Sequence, residues 1–258
     1  ERKLDEYTAA ICLVHWGGLG IDIERLNLIK QNYYNKYGRE IQVIEDCAHV
    51  WNGYYPNKRL IGNSGNYCCF SLQAIKFWTC GDGGILICPD QRSYKEAKLK
   101  RWFGLDRDSG QSMRCTQDIA TLGFKYHMND IQSSIALANY EGACKNVDWH
   151  KYHAEYFNRS ELERIAGIKY TTQSMDSSYW LYTILVEKRD DFIAAMKSRG
   201  VECGVVHSRN DKYTIFKKYR TDLPVLDKLE QQHVSIPVGW WLKNGDAQRI
   251  LYYMKQGW

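Results

Sequence analysis

A single lysine, Lys76, stands between an apolar strand-like run, Tyr67 to Ser71, and a glycine-rich turn, Gly81-Asp82-Gly83-Gly84, with Ile75 before it and Phe77 and Trp78 after it. Apolar walls of this kind desolvate an amine, which favours its neutral form and makes it a Schiff-base nucleophile. Asp46, thirty residues earlier, lies in Glu45-Asp46-Cys47-Ala48-His49 at the end of another apolar run. A carboxylate at the end of a neighbouring strand can keep a pyridinium nitrogen protonated. A lysine and an acid so placed are the groups that a protein supplies to pyridoxal phosphate, whose ring is the electron sink.

The elements around these residues follow from local pattern. Ala9 to His15 reads as a buried strand. Asp22 is an N-cap, after which Ile23, Leu26, Ile29, Tyr33 and Tyr37 recur near helical spacing until Gly38 stops the run. Ile41 to Glu45 is a second strand, so strand, helix and strand form a right-handed βαβ unit with parallel strands. Ligands in such sheets bind beyond the carboxyl ends of strands, where His15 and Asp46 are both expected. The Gly-, Asn- and Tyr-rich segment 52–66 reads as turns or a short hairpin. Tyr67 to Ser71 and Gly84 to Cys88 are further strands, residues 91–103 a helix, and 104–118 a polar loop without periodicity.

Asn129-Asp130 caps a long helical region, and a second helix is expected over 147–166. Beyond it come a strand at 180–187, a helix at 189–199 ended by Gly200, strands at 201–206 and 234–236, and a final helix at 246–255. This alternation describes a small α/β domain. The division implied is 1–146 for a cofactor-binding domain and 147–258 for a linking helix with a small C-terminal domain.

The order of four motifs is also familiar: Val-Ile-Glu-Asp-Cys-Ala-His, Phe-Ser with Lys76 five residues after the serine, Gly-Asp-Gly-Gly, and Leu122-Gly-Phe-Lys-Tyr-His-Met-Asn-Asp-Ile-Gln132. Together they resemble the DegT-type family of pyridoxal-phosphate-dependent sugar aminotransferases, across essentially the whole chain. The resemblance implies PLP fold type I, with a truncated α/β/α large domain and a small C-terminal α/β domain. Roughly a hundred upstream residues are expected to be absent, a size judged from ordinary domain lengths. They would carry the phosphate-binding turn and a ring that stacks on the cofactor.

The resemblance also implies roles. Lys76 holds the cofactor and moves the proton during transamination, Asp46 accepts the pyridinium N–H, His49 lies by the phenolic oxygen, and Ser71 bonds the phosphate. Lys125, His127 and Asn129 correspond to residues that reach a partner subunit's phosphate; Lys125 replaces the asparagine usual in the family. His207, Arg209 and Asn210 match a segment near the sugar-nucleotide site. The implied activity is transfer of an amino group from glutamate to a nucleotide-linked keto-sugar, giving an amino-deoxysugar for a polysaccharide or glycoside, in a homodimer. The alternative is a noncatalytic fragment or binding module with an incomplete cofactor site. A related PLP-dependent dehydratase, which has histidine at the lysine position, is opposed by Lys76.

Composition narrows the remaining classes. With 258 residues and 44% hydrophobic content the chain can bury a substantial core. The net charge of +5 is mild and its cations are dispersed, which argues against a nucleic-acid surface but suits an anionic small substrate. Nine cysteines occur without Cys-x-x-Cys or zinc-type Cys/His spacing, which points to reduced thiols, no metal and a cytoplasmic setting. No run reaches eighteen apolar residues, so no membrane helix is expected. Nineteen tyrosines and nine tryptophans suit a core, a sugar-binding surface or a subunit interface.

Overall fold

The computed structural model describes every residue except 110–115, 172, 173 and 175. Part of the polar loop expected at 104–118, with Cys115, therefore lies outside the described residues. The chain forms two compact units, Glu1–Cys144 and Lys145–Trp258.

The first unit contains strand β1 (Ala10–Val14), helix α1 (Ile23–Tyr37), β2 (Gln42–Asp46), β3 (Tyr67–Ser71), β4 (Gly84–Ile87), α2 (Gln91–Arg101) and the start of α3 (Asp130–Arg159). The sheet order is β1-β2-β3-β4. The first two pairings are parallel, and β3 with β4 is antiparallel. Helix α1 begins where the Asp22 carboxylate accepts the Arg25 N–H at 3.0 Å and ends at Gly38, whose φ of 67° is accessible to glycine without a Cβ clash. Its buried residues are Ile23, Leu26 and Tyr33, and the first two pack into the core against the sheet. There Val43, Cys47, Val50, Tyr55, Ile61 and Cys68 complete the core with Ile23 and Leu26. The segment 52–66 closes on itself through an antiparallel bridge between Tyr54 and Leu60.

Helix α3 departs from the two helices expected over 130–166. It is one helix of 30 residues ending at Arg159. Ala143, Val147, His150, Ala154 and Phe157 are all buried at spacings of three or four, so a single apolar stripe continues through the expected break. Residues 162–164 form only a 3-10 turn.

The second unit adds β5 (Ile168–Thr171), β6 (Tyr182–Val186), α4 (Arg189–Ser198), α5 (Pro224–Gln232), β7 (His233–Ile236) and α6 (Asp246–Lys255), with an antiparallel sheet β5-β6-β7. Phe157, Tyr182, Ile184, Phe192, Met196, Val234, Ile250 and Met254 form its core. The strand expected at 201–206 does not form. Only Gly204 pairs, with Ser235, while Val205 and Val206 remain exposed and add no ladder.

Candidate active site

The lysine turn is built by backbone closure from below. Ser71 pairs with Gly84, Leu72 N–H donates to Gly83 O at 2.9 Å, and Cys80 N–H donates to Leu72 O at 3.2 Å. Within the loop, Lys76 N–H donates to Gln73 O at 2.9 Å and Ser71 Oγ accepts the Gln73 N–H at 3.3 Å. Helix α3 secures the same loop from the side. Gln132 donates to Asp82 O at 2.9 Å, Ala136 O accepts the Trp78 indole N–H at 2.7 Å, and Asn139 donates to Thr79 O at 2.9 Å. Positions 132, 136 and 139 share one helical face. Gly83, at φ 154°, allows close packing, because a Cβ there would come within 3.0 Å of Cys80 Sγ and 3.1 Å of Met128 Sδ.

Lys76 is partly buried on this loop. Burial pushes its pKa down, and the charge of Asp46 opposes that shift without cancelling it. Asp46 lies at the end of β2, in a row of paired residues Val14, Asp46, Cys69 and Leu86. Its carboxylate accepts the Ala48 N–H at 2.8 Å, which fixes its orientation. His49 is buried, edge-on to Trp16 at 5.4 Å, and its Nδ1 accepts the Gly17 N–H at 3.2 Å. That bond assigns the hydrogen of the neutral ring to Nε2.

The acid next to Asp46 does something different. Glu45 is wholly buried on the opposite side of β2. It accepts Tyr55 OH at 2.7 Å, Asn66 Nδ2 at 2.8 Å and His15 Nε2 at 2.8 Å, while His15 Nδ1 accepts the Ile21 N–H at 3.3 Å. Burial alone would raise its pKa, but the hydrogen bonds from His15, Ser64, Asn66 and Tyr55 outweigh burial and hold it at about 2. His15 was expected at a ligand-facing strand end. The structure instead commits it to a buried polar network beneath the sheet, because its ring nitrogens serve Glu45 and Ile21.

Of the three residues in the 125–129 segment, Lys125 is exposed and bridges to Trp102. His127 packs edge-on against Trp102 at 3.9 Å with its Nδ1 buried and unpartnered. Asn129 caps α3, accepting the Gln132 N–H at 2.9 Å while its own N–H donates to Gln132 Oε1 at 3.2 Å.

In the second unit His207 is exposed and stacks with Trp180 at 6.4 Å. Arg209 is buried and bonded to Asp211 at 2.6 Å and to Asp227, with Glu230 at 3.6 Å. Asn210 begins a short 3-10 turn. A separate open cleft of about 550 Å³ is lined by Lys145, Asp148, Trp149, Tyr152 and Asn244. Sequence pattern did not single out those residues or the α3 side chains that clasp the lysine turn. The 132/136/139 spacing was readable, but its target was not. Among the described residues, no group of three or more His, Cys, Asp or Glu side chains could hold a metal ion, and no helix is long and apolar enough to cross a membrane.

Comparison with known proteins gives this geometry a context. A sequence profile of the DegT/DnrJ/EryC1/StrS aminotransferase family matches residues 1–255. The structure is similar to that of AtS13 from Actinomadura melliaura, at 37% identity and TM-score 0.94, covering 100% of this chain and 69% of that one. It is also similar to the sugar aminotransferase CalS13 from Micromonospora echinospora, at 34% identity and TM-score 0.93, with 100% and 69% covered. The uncharacterized protein MJ1066 of Methanocaldococcus jannaschii is 26% identical over 254 residues, covering 92% of this chain. The chain spans 64% of the length of that curated relative.

Proposed function

Because the chain belongs to the DegT/DnrJ/EryC1/StrS aminotransferase family, we propose that it is the cofactor-binding and C-terminal part of a pyridoxal-phosphate-dependent sugar aminotransferase. The fold is that of PLP fold type I sugar aminotransferases. The observation that carries the proposal is Lys76: a partly buried amine of lowered proton affinity, electrostatically coupled to Asp46, on a loop clasped by α3.

The residues present fit the cofactor. Lys76 Nζ would hold its aldehyde carbon, Asp46 its ring nitrogen, His49 Nε2–H its phenolic oxygen and Ser71 Oγ its phosphate. The unpartnered His127 Nδ1, with Lys125 beside it, provides a polar group and a cation suited to a phosphate. When bound, pyridoxal phosphate supplies the electron sink that lets an amino group leave one carbon and join another.

The chain's own contribution is positioning and proton transfer. Lowered proton affinity leaves more Lys76 as free amine near neutral pH, ready to take a proton from the reacting carbon and return it. The anchored Asp46 keeps negative charge where ring protonation is needed. We assign residues 1–146 to cofactor binding and 147–258 to the linking helix and small domain. His207 and Asn210 would face the substrate, while Arg209, held by its carboxylates, orders the loop that carries them. The proposed reaction takes an amino group from glutamate to a nucleotide-linked keto-sugar, in a cytoplasmic homodimer that supplies amino-deoxysugars to polysaccharide biosynthesis.

The direct test is to incubate the chain with pyridoxal phosphate, reduce with borohydride and map the modified peptide. Labelling at Lys76, lost in Lys76→Ala, is expected. Labelling elsewhere would remove Lys76 from the site, and no labelling would reduce the chain to a binding module.

A further inference from the structure

The buried network around Glu45 and the candidate site around Asp46 are joined by one short turn, residues 15–21. His15 stands at its start, wholly buried and fixed by four bonds. Its N–H donates to Asp46 O at 3.0 Å, its carbonyl accepts the Gly18 N–H at 3.1 Å, its Nε2 lies 2.8 Å from Glu45 Oε2, and its Nδ1 accepts the Ile21 N–H at 3.3 Å. The Ile21 amide can only donate, so the hydrogen of the neutral ring is on Nε2 and points at Glu45. Glu45 is ionised near neutral pH and can only accept. The Tyr55 ring, edge-on at 5.7 Å, holds the imidazole in this pose.

Between the two ends that His15 ties together, the chain turns through Trp16, Gly17 and Gly18. Gly17 and Gly18 are buried and lie at φ 63° and 94°, a region that a residue with a Cβ enters at a cost. The turn aims the Gly17 N–H at His49 Nδ1, 3.2 Å away, and sets Trp16 edge-on to the same ring. This donor admits one neutral tautomer of His49, with its hydrogen on Nε2. The other tautomer would set two hydrogens against each other and leave a buried amide without an acceptor.

We propose that His15 is a positioning residue that sets the tautomer of His49 through the turn at residues 16–18. Glu45 keeps His15 in the form whose Nδ1 accepts. That nitrogen closes the turn on Ile21, and the closed turn presents a fixed donor to His49. At each step one donor faces one acceptor, the way outer hydrogen bonds orient a side chain that does chemistry. The inference rests on the placement of His49 Nε2–H at the cofactor's phenolic oxygen proposed above, and supplies the reason that the hydrogen is on that nitrogen.

Nitrogen-15 NMR of the chain without cofactor reads the tautomer of each imidazole, and His49→Gln identifies the His49 signals by their loss. Wild type should show a bare Nδ1 and a protonated Nε2 in neutral His49. His15→Gln can still donate to Glu45 from its amide but has no acceptor at the Nδ1 position. The His49 signals should then shift toward a mixture of tautomers, and exchange of the Gly17 amide should quicken several-fold. His15→Asn puts a carbonyl oxygen near the Nδ1 position and should restore the wild-type His49 pattern. General loss of packing would not give that rescue, because Asn is the smaller residue. Coupling across the Gly17-to-His49 and Ile21-to-His15 hydrogen bonds in wild type keeps the test open where a variant does not fold. A wild-type His49 with its hydrogen on Nδ1, absence of both couplings, or an unchanged His49 pattern in a folded His15→Gln would overturn the proposal. Borohydride labelling separates it from the cofactor reading, since the tautomers are read without cofactor. Unlabelled Lys76 with the expected His49 shifts upholds the role of His15 and removes the cofactor reading. Labelled Lys76 with His49 indifferent to His15 does the reverse.

Discussion

Trp78 and Ala136, 58 residues apart, are joined by an indole N–H to carbonyl bond of 2.7 Å. The bond fastens the turn that carries Lys76 to the first half of α3. Trp78 also lies 4.6 Å from Trp51 and 5.4 Å from Tyr140, so the fastening sits in an aromatic cluster. Replacing Trp78 with Phe keeps much of the packing and removes the donor. A loss of about 1 kcal/mol is expected, with faster amide exchange at Lys76 and Cys80. Unchanged exchange would show that backbone closure alone holds the turn.

Lys76 should react as an amine at lower pH than an exposed lysine, because burial depresses its pKa and the Asp46 charge restores only part of the shift. Asp46→Asn removes the restoring charge. The pH midpoint for acylation of Lys76, followed by peptide mass analysis, should therefore move lower still. A midpoint that stays put or rises would separate the two residues electrostatically.

The buried Glu45 network sets a pH dependence of stability. The folded pKa, about 2, lies below the ordinary 4.5. The contribution of Glu45 is therefore complete above pH 4.5 and is lost as pH falls toward 2. That shift corresponds to about 3 kcal/mol. Urea unfolding of wild type and Glu45→Gln should differ by roughly this amount at pH 7, with the gap narrowing below pH 4.5. A constant gap would assign the effect of the substitution to packing.

Gly123→Ala should break the seam between residues 122–126 and the end of α2, since the added methyl meets the Gly104 backbone, which has no rotamer to move away. Overpacking of this kind costs roughly 1–3 kcal/mol. Gly142→Ala, at a helical position with open space around the added Cβ, is the control and should be neutral or slightly stabilising. Equal stability of the two variants would mean that the seam yields easily.

Local chemistry made part of this fold legible. Asp22 and Gly38 marked both ends of α1, and the short, largely apolar runs of β1, β2 and β3 marked the strands on which the proposed site depends. Helix α5 escaped notice because it is only nine residues long, with three apolar residues, Val225, Leu226 and Leu229, in barely more than one turn, and none of them is buried. The run 201–206 misled for the opposite reason: its valines look like strand residues, yet only Gly204 finds a pairing partner. The second helix expected from 147 does not begin there, because one buried stripe runs through α3 from Ala143 to Phe157. For the proposed site, Lys76 and Asp46 were selected from position and flanks. The grip of Gln132, Trp78 and Asn139 could not, because each bond joins a side chain to a backbone group 50 to 60 residues away.

Glu45 and Asp46 are neighbours with opposite fates, one sealed among His15, Tyr55 and Asn66, the other beside Lys76. Their separation is produced by nothing more than the two-residue alternation of a strand. Adding or deleting one residue ahead of them would turn β2 over, so that Glu45 would point to the face that carries Asp46 and Asp46 to the face of the pocket shaped for three donors. Both the pocket and the proposed reacting centre would then be wrong at once. Point substitutions can explore this strand one position at a time, but a length change here fails in two places together, so Ala10–Val14 and Tyr67–Ser71, which set its register, act as the ruler against which the chemistry is measured.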